Sequence, residues 1–529
     1  MTSAPRSARV AVQNGPERTH VRSNMRTPAS GPVVGSGGIA SPPYLSSAAW
    51  RRHVPSNERY TSAQSEAAQS AGGRAGRRYH AHDADDRPTR GSRMAEPPID
   101  WDEWTKRATD WLSDYIRVDT VNPPGNEMRA CDWLGRIFDA EDIPYTIYRS
   151  APERGNLVAR LNGTGTRGKA LILLNHTDVV PFERDHWSFE PLSGEVRDGY
   201  IWGRGAQDMK GMGIMELVVF LLHHRLGLPL TRDLVFMAVA DEEAGSEFGV
   251  EYLDATHPEL LDCEYVINEG GGGSTEVLGV QRNTFNIGVA EKGPLWLTLR
   301  ARGRPGHGSV PHDDNAADHL VRALQRVLDW QRPLIPGPEV REYFRQLRQA
   351  GIMDREPTDE VLAQFAQENP RMRSVQMNSI SLTTMTAGVK HNVIPAQAEA
   401  TLDVRLVPGY DPDQFIREIT EVIADDRIDV EPVFASSSPA SAVGTELYEV
   451  MKREARRVVE DALVLPGVGT GFTDSRIFRR RGIEAYGFVP TLSGPSEQGR
   501  THGNDERVSI KNLRLGMQIL FSTVRGICD

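Results

Sequence analysis

The chain has 529 residues, 39% of them hydrophobic and 25% charged, and its formal net charge is −11. It is longer than one ordinary domain, and its composition is that of a soluble globular protein. The acidic balance disfavours nucleic acids and anionic membranes as partners, and no apolar run approaches the roughly 18 residues that span a bilayer. The three cysteines are far apart in the sequence, so we expect reduced thiols and a cytoplasmic protein.

Residues 1–95 differ in composition from the rest of the chain. Ser, Ala, Gly, Pro and Arg dominate this segment, and hydrophobic periodicity is absent. Such a composition predicts a disordered tail. It superficially resembles an organellar transit peptide, but it contains no clear amphipathic helix. A start site assigned upstream of Met94 is another explanation, because the ordered pattern begins directly after that residue.

The segment 96–285 predicts the first part of an α/β domain. Apolar residues at helical spacing begin at Trp101, and a second helix is expected over 127–140. Short aliphatic strands alternate with helices after that, with strands at 156–161, 170–174, 233–239 and 263–267 and helices at 211–226 and 248–256. This alternation favours a mixed, largely parallel sheet with helices on both faces.

The segment 286–436 predicts a separate, inserted domain. Its strands and helices follow in the order βαββαβ, at 295–301, 314–330, 379–384, 397–406, 411–423 and 428–434. This order is that of a small ferredoxin-like sandwich, and we interpret the polar stretch 334–374 as an insertion in it. The α/β pattern resumes over 437–529, so the first domain would be built from two segments of the chain.

Histidines and acidic residues follow three of the predicted strands, in the segments Asn175-His176-Thr177-Asp178, Ala240-Asp241-Glu242-Glu243 and Asn268-Glu269. Two further clusters contain Asp208, in a glycine-rich loop, and His502. Binding residues gather beyond the carboxyl ends of parallel strands, and adjacent carboxylates repel each other unless a cation neutralises them. Single members have ordinary explanations, such as a helix N-cap for Asp208. Their recurrence predicts a hydrolase with a two-metal centre.

These motifs resemble those of peptidase family M20. The similar segments are His-Thr-Asp-Val-Val-Pro, Gly-Arg-Gly-x-x-Asp-Met-Lys-Gly, Asp-Glu-Glu-x-Gly and His-Gly-x-x-Glu-Arg. The family includes aminoacylase, acetylornithine deacetylase, succinyl-diaminopimelate desuccinylase and the glutamate and yeast S-type carboxypeptidases. The resemblance covers about residues 98–529. It implies a zinc-exopeptidase-like catalytic domain with a pair of Zn²⁺ ions, and an inserted domain through which the chain forms a homodimer.

The resemblance also implies a role for each ligand-type residue. One zinc would be held by His176 and Glu269, and the other by Glu243 and His502, with Asp208 bridging them. These ligands suit zinc but do not exclude Co²⁺ or Mn²⁺.

Two neighbouring residues complete the expected centre. Asp178 would orient the imidazole of His176, and Glu242 would be the general base. Asn268 stands where many relatives have Asp, and we therefore expect Glu269 to be the ligand.

The inserted domain carries three more candidates. His307 matches the family histidine that reaches the partner subunit's site and donates to the oxyanion, although without the resemblance a plain turn is the favoured interpretation of its Gly-rich surroundings. Arg405 and Asn392 resemble positions that bind the substrate's terminal carboxylate, which Arg can do bidentately; a solvated strand Arg is the alternative. Three other histidines have no such support and are expected at the surface: His223, His224 and His312.

The sequence therefore predicts a zinc-dependent amidohydrolase or exopeptidase that acts on N-acyl amino acids or on small peptides with a free carboxylate. The motifs look closer to the S-type carboxypeptidase and N-acyl-amino-acid hydrolase branch than to acetylornithine deacetylase. A deacylase of the acetylornithine or succinyl-diaminopimelate type is the alternative within the family. A non-catalytic binding relative is the alternative of a different class, and the presence of every expected ligand and of the base disfavours it.

Overall fold

The computed structural model describes residues 98–497 and 499–529, so the tail predicted at 1–95 lies outside the described residues. The helices of the described part are α1 Trp101–Ile116, α2 Met128–Ala140, α3 Lys210–Arg225, α4 Val250–Thr256, α5 Ala316–Asp329, α6 Pro338–Gln349, α7 Asp359–Glu368, α8 Pro370–Ser374, α9 Pro412–Ile423, α10 Glu446–Val458, α11 Ser475–Arg480 and α12 Ile510–Cys528. None of them is both long enough and apolar enough to cross a membrane.

The strands of the same residues are β1 Tyr145–Ala151, β2 Arg154–Leu161, β3 Ala170–His176, β4 Glu195–Arg197, β5 Tyr200–Trp202, β6 Leu234–Val239, β7 Cys263–Asn268, β8 Gly272–Val277, β9 Val280–Glu291, β10 Gly293–Arg302, β11 Gly306–His307, β12 Ser379–Ala387, β13 Val393–Ile394, β14 Gln397–Leu406, β15 Ile428–Ala435, β16 Leu463–Gly469, β17 Glu484–Gly487, β18 Leu492–Ser493 and β19 Arg507–Ser509. They form one large sheet, one sheet of four strands and two small sheets.

The large sheet has ten strands in the order β1-β2-β6-β3-β7-β17-β9-β8-β18, with β16 paired to β9. Its centre is parallel, because β3 runs parallel to both β6 and β7, and β7 runs parallel to β17. Side chains of β3 alternate between its two faces: Leu171 and Leu173 belong to the hydrophobic cluster under α3, whereas Ile172 and Leu174 belong to the cluster under α4 and α11. The predicted mixed, largely parallel sheet flanked by helices is confirmed.

The four-stranded sheet is antiparallel, in the order β12-β14-β10-β15. One face is covered by α5 and α9. Leucines 295, 297 and 299 of β10 alternate with more exposed residues and pack under these helices. The chain order and the strand order are those of a ferredoxin-like fold.

The polar stretch 334–374 forms α6, α7 and α8, which were not expected as helices. Val340, Phe344 and Leu347 of α6 lie at helical spacing and pack on Leu463 and Leu465 of β16. This stretch therefore covers the edge of the large sheet, although in sequence it interrupts the ferredoxin-like unit.

His223 is buried, which corrects the expectation that it lies at the surface. It sits in α3, where nearly every residue from Lys210 to His223 is buried. Its Nδ1 lies 2.7 Å from the carbonyl oxygen of Val219, and its ring packs on Phe521. A neutral histidine in an otherwise apolar helix can be buried when one backbone carbonyl accepts the hydrogen bond from its ring N–H. His224, by contrast, is exposed, and His312 is half-buried.

Candidate metal centre

The three parallel strands at the centre of the large sheet place the acidic and imidazole side chains together. β3 lies between β6 and β7, and His176 at the end of β3 is paired with Val239 at the end of β6. Glu242 and Glu243 stand three and four residues after the end of β6, and Glu269 follows β7 directly. Because parallel strands end at the same edge of a sheet, these side chains meet there.

Asp208 lies between the two histidines. Its Oδ1 is 3.0 Å from Nε2 of His176, and its Oδ2 is 3.1 Å from Nε2 of His502. The same nitrogen of His502 lies 3.2 Å from Oε2 of Glu243, and Nε2 of His176 lies 3.6 Å from Oε1 of Glu269. Each carboxylate oxygen of Asp208 therefore faces a different imidazole, and each imidazole faces one further carboxylate.

The hydrogen bonding of His176 shows what this cluster is suited to hold. Nδ1 lies 3.0 Å from the carbonyl oxygen of Asp178 and 3.4 Å from its carboxylate, so the main chain is the closer partner. A carbonyl oxygen only accepts, so Nδ1 carries the hydrogen, and in neutral His176 the lone pair is on Nε2. This lone pair points at the oxygens of Asp208 and Glu269, which only accept when the two carboxylates are ionised. A cation between these atoms resolves the conflict.

The spacing of the donor atoms also fits divalent metals. Ligand atoms about 2.0 to 2.2 Å from a tetrahedral ion lie roughly 3.3 to 3.6 Å from one another, which is close to the distances of 3.0 to 3.6 Å within the cluster. Two groups of possible ligands have their donor atoms within 4.8 Å of one another: His176 with Asp208 and Glu243, and His176 with Glu242 and Glu269. Geometry alone thus leaves Glu242 as a possible ligand as well as a possible base.

The electrostatics show an excess of negative charge at this edge of the sheet. Burial, followed by the charge of Asp208, raises the pKa of Glu269 to about 8. Burial and the charge of Glu269 raise the pKa of Glu242 well above its ordinary value. Hydrogen bonds with Asp208 and Glu243 raise the pKa of His502 to about 10. Bound cations would relieve this repulsion and favour ionised carboxylates.

Asp178 holds the strand ends in place. It is fully buried and accepts hydrogen bonds from the backbone N–H groups of Glu242 and Glu243, both at 3.2 Å. Burial opposes its ionisation, but hydrogen bonding and the charge of His176 lower its pKa. The residue predicted to orient His176 therefore also orients the adjacent pair of glutamates.

A second buried network supports Asp178, and the sequence analysis did not find it. Nδ2 of Asn122 donates to Asp178 at 2.8 Å and to Asp241 at 3.0 Å. Arg154 forms ion pairs with Asp241 and with buried Glu127. Asn122 lies in an Asn-Pro-Pro-Gly turn. In the sequence this turn indicates the end of a helix, and it gives no sign that the Asn side chain bonds buried carboxylates.

Glu506 positions the loop that carries Asp208. Its Oε1 accepts from the backbone N–H groups of Gln207 and Asp208 at 2.7 and 3.1 Å. Its Oε2 accepts from Arg204 at 2.6 Å and from the N–H of Gly205 at 3.1 Å. All four contacts are buried or nearly so. Glu506 and Arg204 are both part of the motifs quoted above. The sequence did not predict that they contact each other.

Asn268 points away from the acidic cluster. Its Nδ2 donates to Oγ of Ser475 at 3.0 Å and lies 3.3 Å from Oγ1 of Thr473.

The glycines after Glu269 adopt backbone conformations that residues with a side chain could not adopt. Gly271 has a φ of +67°, and a Cβ there would lie 2.1 Å from the carbonyl oxygen of Asn286.

The candidates of the ferredoxin-like unit occupy two places. β11, with His307, pairs with β13, and the N–H of Gly308 donates to the carbonyl oxygen of Asn392 at 2.9 Å. The structure thus brings His307 and Asn392 together at an exposed tip. His307 belongs to neither of the possible ligand groups, and Oγ of Ser309 lies 2.8 Å from its Nδ1.

Arg405 lies on the sheet of that unit. Its Nε and one terminal nitrogen contact the two carboxylate oxygens of Asp403 at 2.7 and 3.1 Å. Its guanidinium also stacks 5.0 Å above the ring of Phe472, as does that of buried Arg476. Arg476 donates to the carbonyl oxygen of Gly245, in the turn that begins at Glu242. Arg405 is therefore linked through stacked side chains to the glutamate side of the cluster.

The sequence profile of peptidase family M20/M25/M40 matches residues 172–526. The chain belongs to this family. The family predicted from the motifs is confirmed, and the chain is a hydrolase of the M20 type. Its described residues include groups that could hold a metal ion.

Two curated relatives are similar to this M20 hydrolase over most of their length. Probable carboxypeptidase S-like 2 of Dictyostelium discoideum is 29% identical over 400 residues, which cover 70% of this chain and 74% of the relative. The N-fatty-acyl-amino acid synthase/hydrolase PM20D1 of Xenopus tropicalis is 29% identical over 446 residues, which cover 80% and 86%. These names fall in the branch that the motifs indicated.

A solved structure shows that the fold is shared. The M20 family metallo-carboxypeptidase Sso-CP2 from Sulfolobus solfataricus is 17% identical, with a TM-score of 0.63 over 79% of this chain and 99% of that one. At this identity the likeness concerns the fold alone.

Proposed function

We propose that the chain is a two-zinc amidohydrolase or exopeptidase that cleaves the amide bond of N-acyl amino acids or small peptides with a free carboxylate. The observation that carries the proposal is the position of Asp208, whose two carboxylate oxygens each face a different imidazole at 3.0 and 3.1 Å. A carboxylate shared in this way is suited to bridge two ions. The names of the curated relatives, a probable carboxypeptidase S-like protein and an N-fatty-acyl-amino acid synthase/hydrolase, support the same class of bond.

In this proposal His176 and Glu269 would hold one ion, Glu243 and His502 would hold the other, and Asp208 would be a ligand common to both. Divalent ions held there would lower the pKa of bound water and polarise the scissile carbonyl. The donor set admits Co²⁺ or Mn²⁺ as well as Zn²⁺.

The remaining residues of the centre orient groups and transfer protons. Asp178 keeps the proton of His176 on Nδ1 and fixes the backbone of Glu242. Glu242 then accepts a proton from the attacking water and delivers it to the leaving amine. We assign this role to Glu242 rather than Glu243 because Glu243 contacts His502 directly, at 3.2 Å.

The substrate's carboxylate is proposed to bind at Arg405 of its own chain and at Asn392, which lies beside His307 at the exposed tip and would, like His307, reach the site from the partner subunit. Arg405 has the fork of donors that a carboxylate requires, and two of its nitrogens already contact Asp403. The substrate would therefore use the remaining nitrogen or compete with Asp403. His307 is proposed to donate to the oxyanion in the partner subunit's site.

The use of His307 in trans requires a homodimer formed through the inserted domain. The outermost strand β12 exposes Leu382 and Met385, and the neighbouring helix α5 exposes Val321 and Leu328. An edge strand beside exposed apolar side chains is suited to pair with a second copy of the chain. Light scattering should show a dimer, and Val321→Glu with Leu328→Glu should shift it to a monomer.

The chain is proposed to consist, after its first 95 residues, of a catalytic domain built from 96–285 and 437–529 and an inserted domain of 286–436. The proposal places the enzyme in the cytoplasm, a compartment in which thiols such as the three buried free cysteines remain reduced.

Metal analysis tests the proposal directly. Purified protein should contain close to two divalent ions per chain. A chelator should abolish hydrolysis of N-acyl amino acids and dipeptides, and zinc, cobalt or manganese should restore it. Asp208→Ala should lower the content of both ions, because it removes the ligand that they share. Full activity in metal-free protein would contradict the proposal.

A matched pair of variants separates the base from the ligand. Glu242→Gln should keep both ions and lower kcat by about two or more orders of magnitude, the contribution of a general base. Glu243→Gln should instead lower the occupancy of one ion. Equal metal loss in the two variants would show that the roles of these adjacent residues are wrongly assigned.

A further inference from the structure

Residues 241–246, the glutamate turn, carry Glu242 on a strained piece of backbone. Asp241 begins the turn with a φ of +69°, and Ser246 ends it with a φ of +70°. Such left-handed conformations bring Cβ too close to the following carbonyl oxygen. Asp adopts them more readily than most residues, whereas Ser rarely does. Ser246 therefore needs a contact that holds it in this conformation.

The start of the glutamate turn is held by residues that precede the ferredoxin-like unit in the sequence. Asn122 and Arg154 bond the side chain of Asp241. Asp178 accepts hydrogen bonds from the backbone N–H groups of the next two residues. Within the turn, the N–H of Ser246 donates to the carbonyl oxygen of Asp241 at 2.6 Å. These contacts fix Asp241, but none of them involves the side chain of Ser246.

The end of the glutamate turn is held by residues that follow the ferredoxin-like unit. Ser246 is fully buried, and its Oγ donates to Oδ1 of Asp474, which lies 228 residues later in the chain and directly before α11. Arg476 of α11 donates to the carbonyl oxygen of Gly245 at 2.9 Å. Two neighbouring side chains thus bond the last two residues of the turn.

Asp474 has few partners for a buried carboxylate. The residue is 1% exposed, and its Oδ2 is buried without a hydrogen-bond partner among the described residues. A nitrogen of Arg476 lies 3.9 Å from Oδ1, which is too far for a hydrogen bond. Burial of a carboxylate with so few bonds opposes folding. A group of this kind is typical of functional sites rather than of the supporting core.

We infer that Asp474 is a positioning residue for Glu242, and that it acts through the hydroxyl group of Ser246. The inference rests on the proposed function for the role of Glu242 as the general base. Loss of the bond leaves Ser246 free to relax towards an ordinary φ, and the side chain of Glu242 then shifts with the turn. A shift of about 1 Å near the reacting atoms can lower the rate by about 100-fold.

Two replacements of Asp474 form a matched pair. Asp474→Ala removes the acceptor, whereas Asp474→Asn keeps an oxygen at the position of Oδ1, because Ser246 and Arg476 both direct donors at that atom. With zinc-loaded enzyme and an N-acyl amino acid, we expect Asp474→Ala to lower kcat by about 10- to 100-fold. Its KM and metal content should stay unchanged, and Asp474→Asn should keep nearly the wild-type kcat. Equal loss in both variants, or no loss in either, would overturn the inference.

Ser246→Ala removes the same bond from the other side and covers the case in which Asp474→Ala does not fold. It should lower kcat to a similar extent, and the double variant should be no slower than the slower single variant, because one interaction is lost in all three. Losses that multiply in the double variant would overturn the inference. Ser522→Ala is the control, since this buried serine of α12 bonds Gln518 and lies outside the turn; its kcat should be that of the wild type.

The Glu242→Gln background separates this inference from the proposed function. If Asp474 acts by positioning Glu242, Asp474→Ala should cause little further loss of kcat once Glu242 is replaced. A further loss as large as that in the wild-type background would overturn the inference and leave the assignment of the base intact. Wild-type kcat in Glu242→Gln alone would refute the assignment of the base, and the inference with it. Loss in Glu242→Gln without loss in Ser246→Ala would refute the inference only.

Discussion

Replacement of Glu506 by Gln tests whether a residue that does not contact the expected ions determines their binding. One buried carboxylate accepts four hydrogen bonds, from Arg204 and from three backbone N–H groups of the loop that ends at Asp208. Gln has the same shape, but one of its two terminal atoms donates. Whichever way the amide is turned, two of the four contacts then place a donor against a donor.

The size of the effect follows from these contacts. Hydrogen bonds to a charged group contribute roughly 1.5 to 3 kcal/mol each, and removal of one partner of a buried ion pair costs about 3 to 5 kcal/mol. Because Arg204 can still bond the amide oxygen, we expect Glu506→Gln to lower the free energy of unfolding by about 3 to 5 kcal/mol. The shifted loop should also weaken metal binding by about 10- to 100-fold, as is typical of residues that orient ligands.

The adjacent residue Asp505 supplies the control. Its carboxylate accepts from the N–H and Oγ of Ser188 at 2.9 and 2.8 Å, at an exposed position, and it does not contact the loop of Asp208. Competition with a chromophoric chelator measures metal affinity, and urea unfolding of the metal-free proteins measures stability. Asp505→Asn should bind metal like the wild type. Wild-type affinity in Glu506→Gln would refute the view that this carboxylate positions Asp208.

Three further predictions concern the partner site, the substrate carboxylate and acid stability. His307→Ala should cost about 3 kcal/mol of transition-state stabilisation, seen as a lower kcat, and should leave the metal content unchanged. Mixed dimers of His307→Ala and Glu242→Gln subunits should recover up to half of the wild-type activity, because one complete site forms. Inactive heterodimers would exclude a role of His307 in trans. Arg405→Gln should raise KM for a substrate with a free carboxylate but leave KM for its methyl ester unchanged. Burial lowers the pKa of His223 to about 4, so the unfolded chain binds more protons as the pH falls from about 6.5 to 4, and stability is lost through that window. His223→Gln should remove about 2 kcal/mol of the loss between pH 7 and pH 5 in urea unfolding.

The clustering of the acidic and imidazole side chains at one sheet edge could be predicted because it depends on local patterns. A short aliphatic run predicts a strand, and the residue after it lies at the sheet edge wherever the strands are parallel. His176 and Glu269 follow adjacent strands for this reason, although they are far apart in sequence. The contact between Glu506 and the loop of Asp208 could not be predicted in this way, since it joins two loops and follows no periodicity.

His223 and the stretch 334–374 show a different limit. The polarity of a residue or segment predicts exposure only on average. His223 is buried because α3 is enclosed by neighbouring helices, where a backbone carbonyl bonds its ring. In the polar stretch, three apolar residues of α6 at helical spacing are enough to pack the helix on β16. Neither the burial of His223 nor the packing of α6 can be predicted from the sequence of the segment itself, because both depend on the neighbouring elements.

The location of α6 to α8 shows how a stretch without any proposed ligand can shape the surroundings of the candidate metal centre. The proposed ligands stand at strand ends and in loops outside 334–374. Val340, Phe344 and Met372 of this stretch nevertheless line the same cavity as Asp208 and Glu269. Changes in the length or sequence of the stretch can therefore alter the walls of that cavity without moving any proposed ligand. The motifs and this part of the cavity wall are thus separate in sequence, and the second becomes visible only when α6 is seen to pack on β16.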